Sequence, residues 1–247
     1  MVLELRNPHS ILAALRHRPH DVKEIRCSSA NPGGAWNEVI EVAQTAGVPL
    51  AVSRKTGQKP SRKRGHTERT GGSVAFVNER KPLSLAEVLP EDGESLDSGL
   101  WLALDCLQDP QNVGAIFRSA SFFGVHGIVL TRDRSAPINA TVYDVSAGGV
   151  EAVPFCVVTN LAQSLRIVKE RGLWVLGASE HAEKDISQID RHRPWLLIIG
   201  NEQKGIRRLT GDQCDEKCLI SPRGEVSSLN ASVAAAVLMS ELSVKSL

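Results

Sequence analysis

The sequence predicts an α/β protein: a parallel sheet with helices on both faces, preceded by a small α/β module. Three observations carry this expectation. From residue 100 onward, short apolar runs recur at 100–104, 127–131, 173–178, 195–199 and 218–221, and helix-length segments separate most of them. That alternation is the rhythm of parallel strands joined by helical crossovers. Before residue 80 the elements are shorter and mixed. Between the two, residues 80–98 are polar and carry Pro82, Pro90 and Gly93, the composition of a linker. The division expected is 1–80 as a first module, 81–98 as linker and 99–247 as the larger domain.

In the first module, residues 8–18 place Ile11, Leu12 and Leu15 on one helical face. A strand at 22–27 follows, then an amphipathic helix at 36–46 stopped by Gly47, and a short strand at 48–52. Residues 53–72 are rich in Gly, Lys and Arg, nearly free of apolar side chains, and must be a solvated loop. A strand at 74–77 closes the module.

Composition narrows the classes. The chain has 247 residues, 42% of them hydrophobic, enough to bury a core. Formal net charge is +1, but residues 1–80 carry +6 and the remainder −5. A basic first part joined to an acidic second part points to a polyanion-binding module attached to something else. The five cysteines are scattered and odd in number, which fits a reducing compartment better than a disulfide framework. Cys214 and Cys218 are half of a zinc pattern at best, with no second pair near them, so no metal is expected. The start lacks a basic-then-apolar signal, and no apolar run is long enough to span a bilayer. A soluble intracellular protein is expected.

In such sheets ligands sit beyond the carboxyl ends of the strands, so the residues after each run matter most. Three segments there carry chemistry. In the first, 105–124, Asp109-Pro110 sets a turn, Asn112 suits a helix start and Gly124 a stop, while Arg118 falls mid-helix. Arg118 reads either as a surface arginine or as a planar clamp for phosphate or carboxylate. In the second, 198–206, an apolar strand runs into Gly200, Asn201, Glu202 and then Gly205. Glu202 either caps the following turn or holds a ligand's polar group. In the third, 219–241, Pro222 and Gly224 make a loop, and Ser227, Ser228 and Asn230 precede a helix rich in Ala and Ser. Ser228 and Asn230 are helix caps or pocket groups, and Leu229, Val233 and Val237 share a face.

Together these segments resemble the SpoU family of the SPOUT superfamily, the knotted RNA 2′-O-ribose methyltransferases. The match runs over about 99–243. It rests on N-x-G-x-x-x-R-S-A at 112–120 with the Phe-Gly at 123–124, S-A-G-G with E and P at 146–154, G-N-E-x-x-G-I at 200–206, and I-S-P-x-G followed by S-S-L-N-x-S at 220–232. The resemblance implies a deep trefoil knot at the end of the sheet and S-adenosylmethionine as methyl donor. It implies cofactor binding by Gly200, Ile220 and Leu229, with Ala178, Asn201 and Gly205 nearby, and a homodimer through the small-residue terminal helix. Arg118, Asn112, Glu202, Ser228 and Asn230 become the catalytic set.

The first 80 residues resemble, more loosely, the family's ribosomal-protein-like RNA-binding domain. Asn7–Ile11 stands where the family has its G-x-H-x-V-like start, and the family's H-Q-G segment reads H-T-E-R-T-G-G here. Arg54, Lys55, Lys59, Arg62, Lys63, Arg64 and Arg69 are expected to track phosphates. Within the family the chain resembles bacterial enzymes that methylate a guanosine ribose in large-subunit ribosomal RNA, and their mitochondrial relatives, so rRNA is the partner expected, in the cytoplasm or an organelle matrix. Alternatives are a transfer-RNA ribose methyltransferase, an enzyme conferring antibiotic resistance through ribosomal RNA, and an inactive RNA-binding relative. A nicotinamide oxidoreductase fails for want of G-x-G-x-x-G.

Overall fold

The computed structural model describes residues 1–29, 32–52, 72–91 and 98–243. They divide into two compact units, Met1–Arg80 with Ile138–Ala152, and Lys81–Pro137 with Val153–Leu247.

In the first unit β1 (Val2–Leu5) leads into α1 (Pro8–His17). Asn7 caps α1 by accepting the His9 amide N–H, and Pro8 occupies the first turn, where a missing N–H costs no helix bond. The helix buries Ile11, Leu12, Ala14 and Leu15, the stripe that its spacing predicts. There follow β2 (Val22–Cys27), α2 (Ala35–Thr45), β3 (Leu50–Val52) and β4 (Val74–Asn78). The sheet runs β1-β4-β2-β3, with β2 and β3 parallel and the other pairs antiparallel. The sequence reading omits β1, because only Leu3 and Leu5 of its four residues reach the core. The basic loop at 53–72 lies, but for Gly72, outside the described residues.

The second unit opens with α3 (Leu85–Val88), inside the segment read as linker. Ser84 and Glu87 form a capping box, Val88 and Leu89 are buried, and the Trp101 indole N–H donates to the Val88 carbonyl at 2.9 Å. Then come β5 (Gly99–Asp105), α4 (Pro110–Phe122) and β6 (Gly127–Thr131). The chain next supplies α5 (Ala140–Ser146) and α6 (Gly149–Ala152) to the first unit. It returns with β7 (Phe155–Val158), α7 (Leu161–Glu170), β8 (Trp174–Ala178), β9 (Lys184–Asp185), β10 (Pro194–Gly200), α8 (Arg208–Gly211), β11 (Glu216–Leu219) and α9 (Ala231–Leu242).

Every neighbouring pair in this sheet is parallel, in the order β7-β6-β5-β10-β8-β11-β9. The five strands read from the sequence are present. Both strands it omits, β7 and β9, sit at the edges and are short. Central parallel strands are buried on both faces, which is why they read as continuous apolar runs. One face sets Trp101, Ala103, Val129, Val175, Leu196 and Ile198 against Leu161, Leu165 and Val168 of α7 and Val88 of α3. The alternate residues, among them Leu102, Leu104, Leu176 and Leu197, are equally buried. On the helices of that side, α4 packs against α9, α9 against β10, and Phe117 meets Phe155 edge to face.

Residues 138–152 join the first unit through buried polar contacts. Glu151 receives two hydrogen bonds from Arg18, Nε at 2.8 Å and Nη2 at 2.7 Å. The Asp144 carboxylate accepts the backbone N–H of Arg6 and Asn7. A linear division into 1–80, 81–98 and 99–247 does not contain this exchange, because a carboxylate's partner 133 positions away leaves no local trace.

Candidate active site

The carboxyl end of β5 begins the site. Asp105 is fully buried there and holds Arg207, accepting its backbone N–H at 3.0 Å and its Nε–H at 2.7 Å. The next residue, Cys106, adopts φ +63°, a left-handed conformation that costs a β-carbon-bearing residue about 1–2 kcal/mol. Its neighbours hold it there: the Cys106 N–H donates to Thr131 Oγ1 at 2.9 Å, and the Cys106 carbonyl accepts from Asn201 Nδ2 at 2.9 Å. This reversal turns the chain from β5 into α4. The α4 cap is Asp109, whose side chain accepts the Gln111 N–H, and not Asn112 as the sequence reading has it.

Freed from capping, Asn112 is buried in the first turn of α4 and bridges two other segments. Its Nδ2 donates to Glu202 Oε1 at 3.1 Å, and its Oδ1 accepts from Asn230 Nδ2 at 3.0 Å. Glu202 in turn accepts the backbone N–H groups of Gln108 and Asp109 at 3.4 and 3.3 Å, so it faces the amino end of α4 rather than capping its own turn. A carboxylate is favoured there by the helix dipole and the unpaired amides. Partial burial pushes the Glu202 pKa up, but the Asn112 amide and these backbone N–H groups outweigh it and leave the pKa below the ordinary 4.5. Asn230 caps α9, its Oδ1 accepting the Ser232 N–H, and its Nδ2 donates to Asn112.

A second arrangement lies at the ends of three adjacent strands, β10, β8 and β11. Ala178 and Gly200 end β8 and β10, and Ile220 follows β11. After Gly200 the chain makes a tight turn closed by paired backbone hydrogen bonds between Asn201 and Gly205, 3.0 and 2.9 Å. A β-carbon on Gly200 would lie 2.3 Å from the Gly205 carbonyl carbon, so only glycine fits. Gly205 itself has φ +64°. Beyond Ile220, the Asp185 carboxylate receives the N–H and hydroxyl of Ser221 at 3.1 and 2.5 Å. From Arg223 to Leu229 the chain is exposed, and among the described residues its backbone N–H and C=O groups have no hydrogen-bond partner. Open backbone donors and acceptors beside strand ends suit a ligand read through polar edges.

Arg118 is exposed on α4, and among the described residues it has no hydrogen bond or ion pair. Ser228 and Leu229 are exposed on the open loop, and the Ser228 hydroxyl likewise has no partner among the described residues. Thus Asn112, Glu202 and Asn230 are joined by hydrogen bonds, Ala178, Gly200, Asn201, Gly205 and Ile220 gather at strand ends, and the side chains of Arg118 and Ser228 are without partners among the described residues. Arg54, Lys55, Lys59, Arg62, Lys63, Arg64 and Arg69 lie outside the described residues. The sequence reading passed over Asp105, Arg207 and Asp185. A carboxylate that directly ends a buried apolar run, as Asp105 does, is a signal that could have marked the first pair.

Residues 99–240 match the model of the SpoU rRNA methylase family. Over 237 residues the chain is 38% identical to the 23S rRNA (guanosine-2′-O-)-methyltransferase RlmB of Bordetella pertussis, covering 94% of this chain and 93% of that one. The chain belongs to the SpoU family. The RlmB of Pseudomonas aeruginosa is 36% identical over 239 residues, covering 95% and 93%. Among solved structures, the SpoU methyltransferase AviRb from Streptomyces viridochromogenes, in complex with the cofactor AdoMet, superimposes with a TM-score of 0.76 at 24% identity. That superposition covers 98% of this chain and 89% of AviRb, and it shows the fold to be that of SpoU methyltransferases. No helix among the described residues is long and apolar enough to cross a membrane.

Proposed function

We propose that this protein transfers a methyl group from S-adenosylmethionine to a ribose 2′-hydroxyl of structured RNA, in a guanosine of large-subunit ribosomal RNA. The observation that carries the reading is the Glu202–Asn112–Asn230 chain of hydrogen bonds, drawn from three SpoU motifs and built around the helix that presents Arg118, unpartnered among the described residues. The RlmB relatives, alike over nearly the whole chain, support the choice of substrate.

The residues present fit the methyl donor. The unpaired backbone groups of 223–229, Ile220, Leu229 and the ends of β8 and β10 would hold it, with Ala178, Gly200, Asn201 and Gly205 forming the wall. When bound, the sulfonium supplies an already activated methyl group, so the protein's task is alignment and removal of one proton. Alignment of reacting groups is worth several powers of ten in rate. A guanidinium keeps its proton at neutral pH, so Arg118 acts as a fork on the phosphate beside the target ribose, not as a base. A phosphate oxygen held there accepts the hydroxyl proton, or the positive charge favours its loss. Asn112, Glu202, Ser228 and Asn230 orient Arg118 and the ribose.

Three further features belong to this reading. The last strands interleave, β10 entering between β5 and β8 and β11 following between β8 and β9, and this crossing order supports a trefoil knot. Leu229, Val233 and Val237 expose an apolar stripe, as does Val226, and a second copy of the chain covers it in a homodimer. The first unit, with the basic residues 54–69, holds the RNA, and a cytoplasmic location fits an rRNA substrate.

Incubation with radiolabelled S-adenosylmethionine and unmethylated large-subunit rRNA, followed by ribose-methylation mapping, tests the reading. Label at a single guanosine ribose is the expected result. Label in transfer RNA alone, or no binding of the donor by calorimetry, would overturn it.

A further inference from the structure

Immediately after β6 the chain carries Arg132, Asp133 and Arg134, at the carboxyl end of the strand that pairs with β5. The segment is tied to the start of the site. Thr131 Oγ1 accepts the Cys106 N–H and lies 2.6 Å from Ser135 Oγ, and the Ala136 N–H donates to the Leu107 carbonyl at 2.8 Å. The loop is therefore fixed to the two residues that precede Gln108 and Asp109, whose N–H groups hold Glu202.

On this fixed loop both arginines are exposed, and among the described residues neither guanidinium has a hydrogen bond or ion pair. Arg134 has φ +58°, where glycine or asparagine is the inexpensive residue. A strained conformation beside a site, carrying a cation unpartnered among the described residues, is an observation from which function can be inferred. The Asp133 charge between them also acts on Arg207, whose pKa is raised, despite burial, chiefly by its bond to Asp105. A methyl donor held at the ends of β8, β10 and β11, as proposed above, would leave the β6 side to the polymer.

We infer that Arg132 and Arg134 form a second phosphate-binding site that grips the RNA backbone flanking the target nucleotide. The inference rests on the reading of the protein as an RNA methyltransferase. Two phosphates held at a fixed distance from α4 would set the register of the strand, while Arg118 holds the phosphate at the reacting ribose.

The test uses full-length protein and an in vitro large-subunit rRNA transcript, with the variant Arg132→Ser/Arg134→Gly, glycine being at ease at φ +58°. Filter binding and initial rates are measured over a series of salt concentrations. The expected result is a rise of KM for RNA of about fivefold or more, with a slope of log affinity against log salt reduced by ~1–2, since each lost phosphate contact removes ~0.7–0.9. Turnover at saturating RNA and the donor Kd are expected to hold. Arg132→Lys/Arg134→Lys should keep the salt slope, because charge suffices for this contact.

An unchanged slope and KM in the first variant would mean ordinary solvated charges and overturn the proposal. So would a fall in donor affinity or Tm, which would make the loop structural. If wild-type protein binds the transcript without methylating it, the assigned reaction fails while the binding slope still decides this site. If it does not bind, both fail.

Discussion

Asn230 donates its side-chain amide N–H to the side-chain oxygen of Asn112 at 3.0 Å, joining residues 118 positions apart. The other end of the same Asn112 amide donates to Glu202. One buried side chain thus fixes the amino ends of two helices and the turn after β10 relative to one another.

Asn112→Asp keeps the volume but sets a second carboxyl against Glu202. Activity should fall more than tenfold, and stability by about 1–3 kcal/mol, the cost of a buried polar group deprived of its partner. Denaturant titration beside a methylation assay separates the two effects. Wild-type turnover in this variant would disprove the bridge.

Arg118→Ala should lower methylation roughly 100-fold or more. Because the side chain is exposed and unpartnered among the described residues, unfolding stability should move by no more than about 0.5 kcal/mol. Donor affinity by calorimetry should also hold. Arg118→Lys should be nearly as inactive, because a point charge does not reproduce the fork.

Gly200→Ala forces a methyl group into the Gly205–Ile206 backbone. The turn must open, at about 1–3 kcal/mol, and the wall of the donor site moves with it. Donor affinity should drop more than tenfold. Calorimetry with S-adenosylmethionine checks this, and an unchanged Kd would remove Gly200 from the site.

The Asp105–Arg207 pair is asymmetric: the carboxylate is fully buried, while Arg207 still reaches solvent. Arg207→Met strands a buried charge and should cost about 3 kcal/mol or more. Asp105→Asn leaves a cation that water can reach and should cost clearly less. Chemical unfolding of the two variants gives the order directly, and the reverse order would contradict the burial.

Glu202 has a folded-state pKa below its ordinary 4.5, so its ionised form is favoured by folding. Its contribution is therefore present above about pH 4.5 and is lost as pH falls through the lowered value. Comparing the unfolding free energy of wild type and Glu202→Gln should show a wild-type advantage at pH 6 that shrinks below pH 4.5. Between pH 6 and 9 Glu202 stays ionised and should add no limb to the rate profile.

Much of the larger unit was legible. The runs at 100–104, 127–131 and 195–199 are strands because a parallel sheet buried on both faces requires unbroken apolar residues. The cap at Asn230 and the stop at Gly124, φ +69°, follow from local chemistry. The edge strand β9 escaped because two residues, Lys184 and Asp185, have no period to read. The linker reading missed α3, a single short turn whose hold on the unit comes from a few side chains, Val88 and Leu89 among them.

The sequence by itself determined the parallel α/β class, the identity of Arg118, Asn112, Glu202 and Asn230 as chemically interesting groups, and the family whose motifs they share. Tertiary structure decided what those groups do. It placed β10 between β5 and β8, turned Glu202 toward an α-helix 93 positions away, moved the cap of α4 from Asn112 to Asp109, and assigned residues 138–152 to the first unit. The reason is physical. Periodicity and capping are settled within a few residues of chain, whereas a carboxylate or an amide bonds equally well to any donor that the fold delivers, and only the closed sheet determines which one arrives.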